Sequence, residues 1–145
     1  MGALVQLKRL AAAGVVLLAA TLGAPVTATP AAGAGLSCDG KLATIVGTPD
    51  DDVVRGTEGD DVIVALGGND RVLAGSGHDT ICGNEGDDTL VGGLGFDVIL
   101  GGYGTDTVAY GNAGARVRVD LAAGTASGGD GIDEISSIES VIGSR

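Results

Sequence analysis

Seven aspartates follow one another at intervals of nine residues in the middle of the chain. They are Asp52, Asp61, Asp70, Asp79, Asp88, Asp97 and Asp106. A carboxylate is an oxygen ligand of the kind that Ca²⁺ prefers, and this ion takes about six to eight oxygens at about 2.3–2.6 Å. A regular row of carboxylates therefore points to metal-ion binding, provided that the fold brings successive members of the row close together.

Each of these aspartates holds the sixth place of a nine-residue unit. Seven units fill residues 47–109 without a gap: GTPDDDVVR, GTEGDDVIV, ALGGNDRVL, AGSGHDTIC, GNEGDDTLV, GGLGFDVIL and GGYGTDTVA. The eighth place is aliphatic in every unit. The fourth place is glycine in six units, at Gly59, Gly68, Gly77, Gly86, Gly95 and Gly104. Three columns in one register indicate a repeated structural unit.

The composition of the unit predicts a turn followed by a very short strand. The first six places, of the form G-x-x-G-x-D, are too rich in glycine and polar residues for regular structure. The last three places alternate around the aliphatic residue, which faces one side. One unit reverses the chain, so two units complete one coil of a solenoid. We therefore predict an all-β fold, a right-handed parallel β-roll of two sheets with a thin aliphatic core and short caps at both ends.

This geometry places aspartates two units apart on adjacent coils, separated by about 4.8 Å. Carboxylates this close repel each other unless a cation lies between them. Glycines let backbone carbonyl groups turn inward to complete the ligand shell. Calcium is preferred to magnesium, which needs a tighter octahedral shell and keeps more water. The five candidate sites are Asp52 with Asp70, Asp61 with Asp79, Asp70 with Asp88, Asp79 with Asp97, and Asp88 with Asp106.

The units match the pattern GGxGxDxUx, in which U is aliphatic, and the chain thereby resembles the RTX (repeats-in-toxin, haemolysin-type) calcium-binding proteins. The resemblance covers residues 47–109, and residues 117–144 look like the segment that often follows such repeats. It implies a parallel β-roll in which the sixth-place aspartates are carboxylate ligands and turn carbonyls supply the rest. Most proteins of this kind carry an enzyme or toxin domain beside the repeats. No such domain precedes the repeats here, so we do not infer toxin activity.

Some units depart from the pattern. The first unit has Thr48, Pro49 and Asp50 where flexible glycine is expected, so Asp52 is expected to be a poor ligand or part of a cap. The third unit has Leu66 at its second place. Additional acids stand at fifth places and are interpreted as solvated surface that at most strengthens cation capture. These acids are Asp51, Asp60 and Asp87.

The composition agrees with a fold that lacks a conventional core. The 145 residues include 28 glycines and three aromatic residues. Glycine loses more chain entropy on folding than any other residue, so stabilisation from another source is needed. All 19 acidic residues but only six of the eight basic ones follow residue 28, which leaves a net charge of −13 on that part of the chain. This charge excludes nucleic acid as a partner.

Residues 1–28 are predicted to be a cleaved secretory signal peptide. Lys8 and Arg9 precede the apolar run LAAAGVVLLAATLGA, and VTA at residues 26–28 suits cleavage, which could also fall near Ala34. The alternative is an uncleaved membrane anchor, for which the run is shorter than the ~20 residues of a span. We therefore predict a secreted protein without a membrane span in the mature form, in which residues 29–46 form a linker and an N-terminal cap strand around Ile45.

Two cysteines remain after this predicted cleavage. Export places Cys38 and Cys82 in an oxidising compartment, which predicts a Cys38–Cys82 disulfide. Closing a loop of about 45 residues would stabilise the fold by roughly 4 kcal/mol in the chain-entropy model. The alternatives are lipid attachment at Cys38 and two free thiols.

Residues 110–145 are predicted to form a C-terminal cap. The sequence RVRVDL at residues 116–121 predicts a strand with Val117, Val119 and Leu121 facing inward, and AAGTASGGDG predicts a loop. Aliphatic residues then recur every third position, which suits a helical turn or irregular coils. Asp130 and Asp133 are interpreted as ordinary loop acids rather than a further cation site.

No pattern in the sequence indicates catalysis. His78 is the single histidine, and its neighbours Ser76 and Asp79 in sequence do not make a triad. The sequence also lacks an EF-hand, a P-loop and an HExxH motif. We therefore expect a calcium-binding protein with about five sites whose folding is coupled to Ca²⁺. The alternative is an adhesive or structural surface protein that uses a calcium-rigidified roll.

Overall fold

A computed structural model describes residues 16–17, 25–27, 35–111, 113–129 and 131–143. These residues form β-strands, turns and loops, and none of them lies in a helix, so no described helix could cross a membrane. The strands are β1 (Val16–Leu17), β2 (Pro25–Thr27), β3 (Ser37–Cys38), β4 (Lys41–Leu42), β5 (Ile45–Val46), β6 (Val53–Arg55), β7 (Val62–Gly67), β8 (Arg71–Ser76), β9 (Thr80–Glu85), β10 (Thr89–Leu94), β11 (Val98–Tyr103), β12 (Thr107–Ala109), β13 (Arg118–Asp120), β14 (Thr125–Gly128), β15 (Gly131–Ser136) and β16 (Ser140–Ile142).

Successive repeat strands alternate between two parallel sheets. One sheet contains β5, β7, β9, β11 and β15 in that order, and the other contains β6, β8, β10, β12 and β16. Within each sheet the partners are 18 residues apart along the repeats, as in the pairing of Ile63 with Ile81 and of Val72 with Leu90. This register confirms the predicted coil of two units and the parallel β-roll.

The core between the sheets is one aliphatic side chain thick. All seven eighth-place residues have no exposed surface: Val54, Ile63, Val72, Ile81, Leu90, Ile99 and Val108. The strands in the middle of the roll are six residues long rather than three, because each continues through the first three places of the following unit. The turn proper is therefore restricted to the fourth to sixth places, where each aspartate stands at the corner of a coil.

The N-terminal part of the described chain covers the outer face of one sheet. Strands β3 and β4 form a hairpin, and β5 pairs with β7 as the predicted cap strand. Cys38 bonds to Cys82 on β9, so the predicted disulfide is confirmed. Cys38 packs with Ala43, Val46 and Val64 in a second apolar cluster outside the roll.

Most of the predicted signal peptide and linker lies outside the described residues. Two short pieces are described, and they pair with the first coil of the roll. The backbone of Val16–Leu17 lies parallel to β5, and that of Pro25–Thr27 lies parallel to β6.

The C-terminal segment differs from the prediction in several respects. The predicted strand is present as β13, but Leu121 is exposed because the strand ends before it. The predicted loop contains β14, which forms an antiparallel hairpin with β13 and pairs with β15. The described residues after it form β15 and β16, which pair with β11 and β12, and no helix. Ile135 is buried, whereas Ile132 is 58% exposed.

Candidate metal-binding turns

The sixth-place aspartates form a continuous hydrogen-bonded ladder along each edge of the roll. All seven are buried, with at most 6% of their surface exposed. One carboxylate oxygen, Oδ1, accepts the backbone N–H of the aspartate one coil earlier. The N–H of Asp52 donates to Asp70 Oδ1 at 2.8 Å, and that of Asp70 donates to Asp88 Oδ1 at 2.8 Å. On the other edge the N–H of Asp61 donates to Asp79 in the same way.

The second carboxylate oxygen, Oδ2, lacks a hydrogen-bond donor at several corners. It is buried and without a partner in Asp70, Asp79, Asp88 and Asp106. A carboxylate oxygen that is buried loses its hydrogen bonds to water. If no protein donor or ion replaces them, the ionised group destabilises the folded state. A cation placed at these oxygens would remove that cost. The observation therefore fits the metal ion that the sequence predicts.

Burial also raises the pKa of several of these aspartate carboxyl groups. Loss of water raises the pKa of Asp70 and of Asp79 to about 7 and that of Asp88 to about 6. The backbone hydrogen bond to Oδ1 opposes this rise, and neighbouring carboxylates add to it. The pKa of Asp106 is raised as well, again mainly by burial. Without a cation, the folded chain therefore holds these carboxyl groups in the protonated form up to a higher pH than water does.

Backbone carbonyl oxygens line the same turns. From the third unit onward, the second and fourth places have φ between 76° and 139°, a region that favours glycine. A Cβ on Gly93 would collide with the carbonyl oxygen of Gly75, and a Cβ on Gly104 would collide with that of Gly86. At these glycines the space between successive coils is thus kept free of side chains and lined by carbonyl oxygens.

The first place of a unit shows how carboxylate and carbonyl oxygens meet. A Cβ on Gly83 would collide both with Asp88 Oδ2 and with the carbonyl oxygen of Gly101, which lies one coil later. The unpartnered carboxylate oxygen of one turn and a carbonyl oxygen of the next coil therefore face the same space. Hard cations with oxygen ligands suit such a set of donors.

The first two units are built differently, which the sequence reasoning recognised only in part. Thr48 donates from its N–H and its hydroxyl to Asp52 Oδ2 at 2.6 and 2.9 Å. Thr57 caps Asp61 Oδ2 in the same way at 2.7 and 2.9 Å. Gly59, which the sequence reasoning grouped with the other fourth-place glycines, does not have a positive φ. In these two turns, protein donors occupy the position that a cation would take elsewhere.

The predicted aspartate ligands thus differ in whether their Oδ2 accepts a hydrogen bond from the protein. Asp70, Asp79, Asp88 and Asp106 combine a buried unpartnered oxygen with a neighbouring carboxylate one coil away. No group of three or more His, Cys, Asp or Glu side chains within the described ranges is placed to hold a metal ion. Each turn therefore offers carboxylates in pairs, so a bound ion would also need backbone carbonyl oxygens and water as ligands.

A second ladder involves the fifth places and was missed in the sequence. Here a side chain accepts the backbone N–H of the residue one coil later. Asp51 accepts from Asn69, and Asn69 accepts from Asp87, at 2.7 and 2.8 Å. On the other edge Asp60 accepts from His78 at 2.7 Å. The fifth-place acids are exposed, as their interpretation as solvated surface predicts, but each of these side chains also joins two coils.

His78 is part of this second ladder. Its Nδ1 accepts the backbone N–H of Phe96 at 3.0 Å, and the two rings meet edge to face at 6.4 Å. This bond requires the neutral tautomer that carries its proton on Nε2. The imidazole thus connects two turns.

The aspartate ladder continues into the C-terminal segment, which the sequence reasoning also missed. The N–H of Asp97 donates to Asp133 Oδ1 at 3.2 Å, and the N–H of Asp106 donates to Glu139 Oε2 at 2.8 Å. The signal was present, because GGDGIDEIS at residues 128–136 fits GGxGxDxUx with Asp133 at the sixth place. It was hidden because residues 110–127 separate this unit from the seven contiguous ones. Interpreting Asp133 as an ordinary loop acid was therefore wrong, since it is buried and in register.

A comparison with protein families agrees with this architecture. The family HemolysinCabind, described as RTX calcium-binding nonapeptide repeat (4 copies), matches residues 46–81 and 83–115. None of the curated proteins compared with the chain matches it. The stacked nine-residue units and the buried aspartates lie in the matched residues. The matched residues therefore contain RTX calcium-binding nonapeptide repeats, as the resemblance predicted.

Proposed function

We propose that this protein is a secreted calcium-binding β-roll in which Ca²⁺ ions between the turns of adjacent coils stabilise the folded chain. The observation that carries this proposal is the row of buried Oδ2 atoms without hydrogen-bond partners, in Asp70, Asp79, Asp88 and Asp106. The family match supports the same ion. About five ions would bind if every predicted pair of turns were used, and fewer if Thr48 and Thr57 exclude the ion from Asp52 and Asp61.

The donor set favours calcium over other ions. The space between the turns is lined by carboxylate and carbonyl oxygens, whereas Cys82 is in a disulfide and His78 Nδ1 is in a hydrogen bond. Nitrogen and sulfur ligands of the kind that zinc prefers are therefore not offered at these turns. A shell of backbone carbonyls is adaptable and suits the larger ion, since Mg²⁺ demands near-ideal octahedral geometry.

Secretion follows from two features that support each other. The predicted signal peptide would export the chain, and the disulfide between Cys38 and Cys82 is of the kind that persists in oxidising compartments. Extracellular calcium modules commonly bind with dissociation constants of about 10⁻⁴–10⁻³ M. Calcium would thus be scarce before export and sufficient after it, so the roll would become stable outside the cell.

In this proposal, folding of the chain is coupled to calcium binding. A chain with a core one side chain thick and several buried carboxylates is expected to remain largely unfolded until the ions bind. Circular dichroism of the purified protein in EDTA and in millimolar CaCl₂ tests this, with MgCl₂ as the matched control. We expect β-structure to form with Ca²⁺ and far less with Mg²⁺. Equal β-structure in EDTA and in CaCl₂ would refute the coupling.

A further inference from the structure

We propose that the C-terminal segment, outside the residues that match the family, completes one more divalent-cation site from Asp106, Glu139 and the backbone carbonyl oxygen of Ser137. This inference rests on the proposed function, because it extends the same type of site beyond the last contiguous repeat. It assigns a ligand role to a glutamate that lies outside the nine-residue register.

The contacts around Asp106 bring these three groups together. Asp106 has no exposed surface, and its Oδ2 has no hydrogen-bond partner. A Cβ on Gly101 would collide both with this Oδ2 and with the carbonyl oxygen of Ser137. The Glu139 carboxylate lies beside the same corner, because its Oε2 accepts the N–H of Asp106 at 2.8 Å. Asp106 Oδ2 and the Ser137 carbonyl oxygen thus face one space, and the Glu139 carboxylate lies at the same corner.

The arrangement repeats that of the preceding coil. At Gly83 the two oxygens that a Cβ would meet are Asp88 Oδ2 and the carbonyl oxygen of Gly101. At Gly101 they are Asp106 Oδ2 and the carbonyl oxygen of Ser137. Ser137 therefore takes the position that a first-place residue of a repeat takes one coil earlier, although it does not belong to a contiguous unit.

The C-terminal turn that places Glu139 beside Asp106 is shorter than the turns of the repeats. Six residues separate Asp133 from Glu139, whereas nine separate successive sixth places in the repeats. The N–H groups of Glu139 and Ser140 both donate to the carbonyl oxygen of Asp106 at 3.0 Å, which holds the short turn against the last repeat. Strand β16 then pairs with β12, with Val141 opposite Val108.

The two negative charges at this corner also favour binding of a cation. Asp106 and Glu139 place two carboxylates side by side. Burial, to which the Glu139 charge adds, raises the pKa of Asp106 above its ordinary range. A divalent ion would neutralise both groups. Because Glu139 itself is exposed, such an ion would have a direct path from solvent to the buried oxygen.

A substitution at Glu139 tests the site. We compare Glu139→Gln with the matched control Glu134→Gln, an exposed glutamate on β15, and count bound ions by equilibrium dialysis of the purified protein against ⁴⁵Ca²⁺. We expect Glu139→Gln to bind one ion fewer per chain than the wild type, and Glu134→Gln to bind the same number. An unchanged count in Glu139→Gln would overturn this inference while leaving the proposed function intact. Absence of calcium binding in the wild type would overturn both.

Crystals of the unmodified protein give a second test that does not depend on how the variant folds. In crystals grown with CaCl₂, we expect an anomalous difference peak between Asp106, Glu139 and the Ser137 carbonyl oxygen. A peak between Asp70 and Asp88 without one at Glu139 would contradict the inference.

Discussion

Acidification should replace calcium as the factor that folds the roll. Burial raises the pKa of Asp70 and Asp79 to about 7 and that of Asp88 to about 6, from an unperturbed value of 3.8. Because these folded-state pKa values lie above the unfolded one, each group contributes stability that is complete below pH 3.8. That stability is lost progressively as the pH rises from 3.8, and the loss is complete above about 6 for Asp88 and about 7 for Asp70 and Asp79.

The size of the effect is comparable with the stability of a whole domain. At pH 7.4 the ionised state costs about 4 kcal/mol at Asp70 and at Asp79 and about 3 kcal/mol at Asp88, at 1.36 kcal/mol for each unit of pKa. The three groups together cost on the order of 10 kcal/mol, against a typical free energy of unfolding of about 5–15 kcal/mol. Without metal, the chain should therefore be unfolded at pH 7.4, and most of the lost stability should return near pH 4.5.

Far-UV circular dichroism of the protein in EDTA, followed from pH 7.5 to pH 4.5, measures this. We expect little β-structure at pH 7.5 and its formation as the pH falls from 6 to 4.5. Samples in 1 M NaCl at pH 7.4 are the control, because salt screens surface charges but leaves buried carboxylates desolvated. Folding by salt alone, or a metal-free spectrum that is the same at both pH values, would refute the assignment of the cost to these carboxylates.

Three further predictions concern the turns and the disulfide. Gly77→Ala should destabilise the calcium-bound protein by about 1–3 kcal/mol in thermal denaturation, because a Cβ at φ 120° would meet backbone atoms of Gly59. Gly59→Ala should be nearly neutral, since the nearest neighbour of its Cβ would be Thr57 Oγ1 at 3.9 Å; equal losses would contradict the distinction between the two kinds of turn. Thr57→Ala removes a hydroxyl donor from a buried carboxylate and should cost about 1–3 kcal/mol without lowering the number of bound ions. Replacing Cys38 and Cys82 together by alanine should lower the free energy of unfolding in saturating calcium by roughly 4 kcal/mol in the chain-entropy model, and an unchanged denaturation midpoint would contradict it.

The repeat columns were sufficient to predict the architecture. A fixed spacing between Asp70 and Asp88 determines which residues stack, and the aliphatic eighth place determines which side faces the core. The disulfide was also predictable, because the chain has only the cysteines Cys38 and Cys82.

The details of the site depend on backbone directions that the residue types alone do not define. Whether Asp61 Oδ2 faces a threonine or an open space depends on the φ of its turn, so the hydrogen bond from Thr57 could not be predicted from the sequence. The role of Glu139 depends on a turn three residues shorter than the others, which no fixed register can reveal. Asp133 was missed because an insertion shifts its unit away from the contiguous ones.

Calorimetric titration of the metal-free protein with CaCl₂ at pH 7.4 tests the central claim most directly. If cations satisfy the buried carboxylate oxygens, at least one ion should bind for each of Asp70, Asp79, Asp88 and Asp106, with heat that accompanies formation of β-structure. Replacing Asp79 and Asp88 by asparagine should lower the number of ions. Absence of binding at millimolar calcium, or an ion count that these two substitutions leave unchanged, would contradict the account.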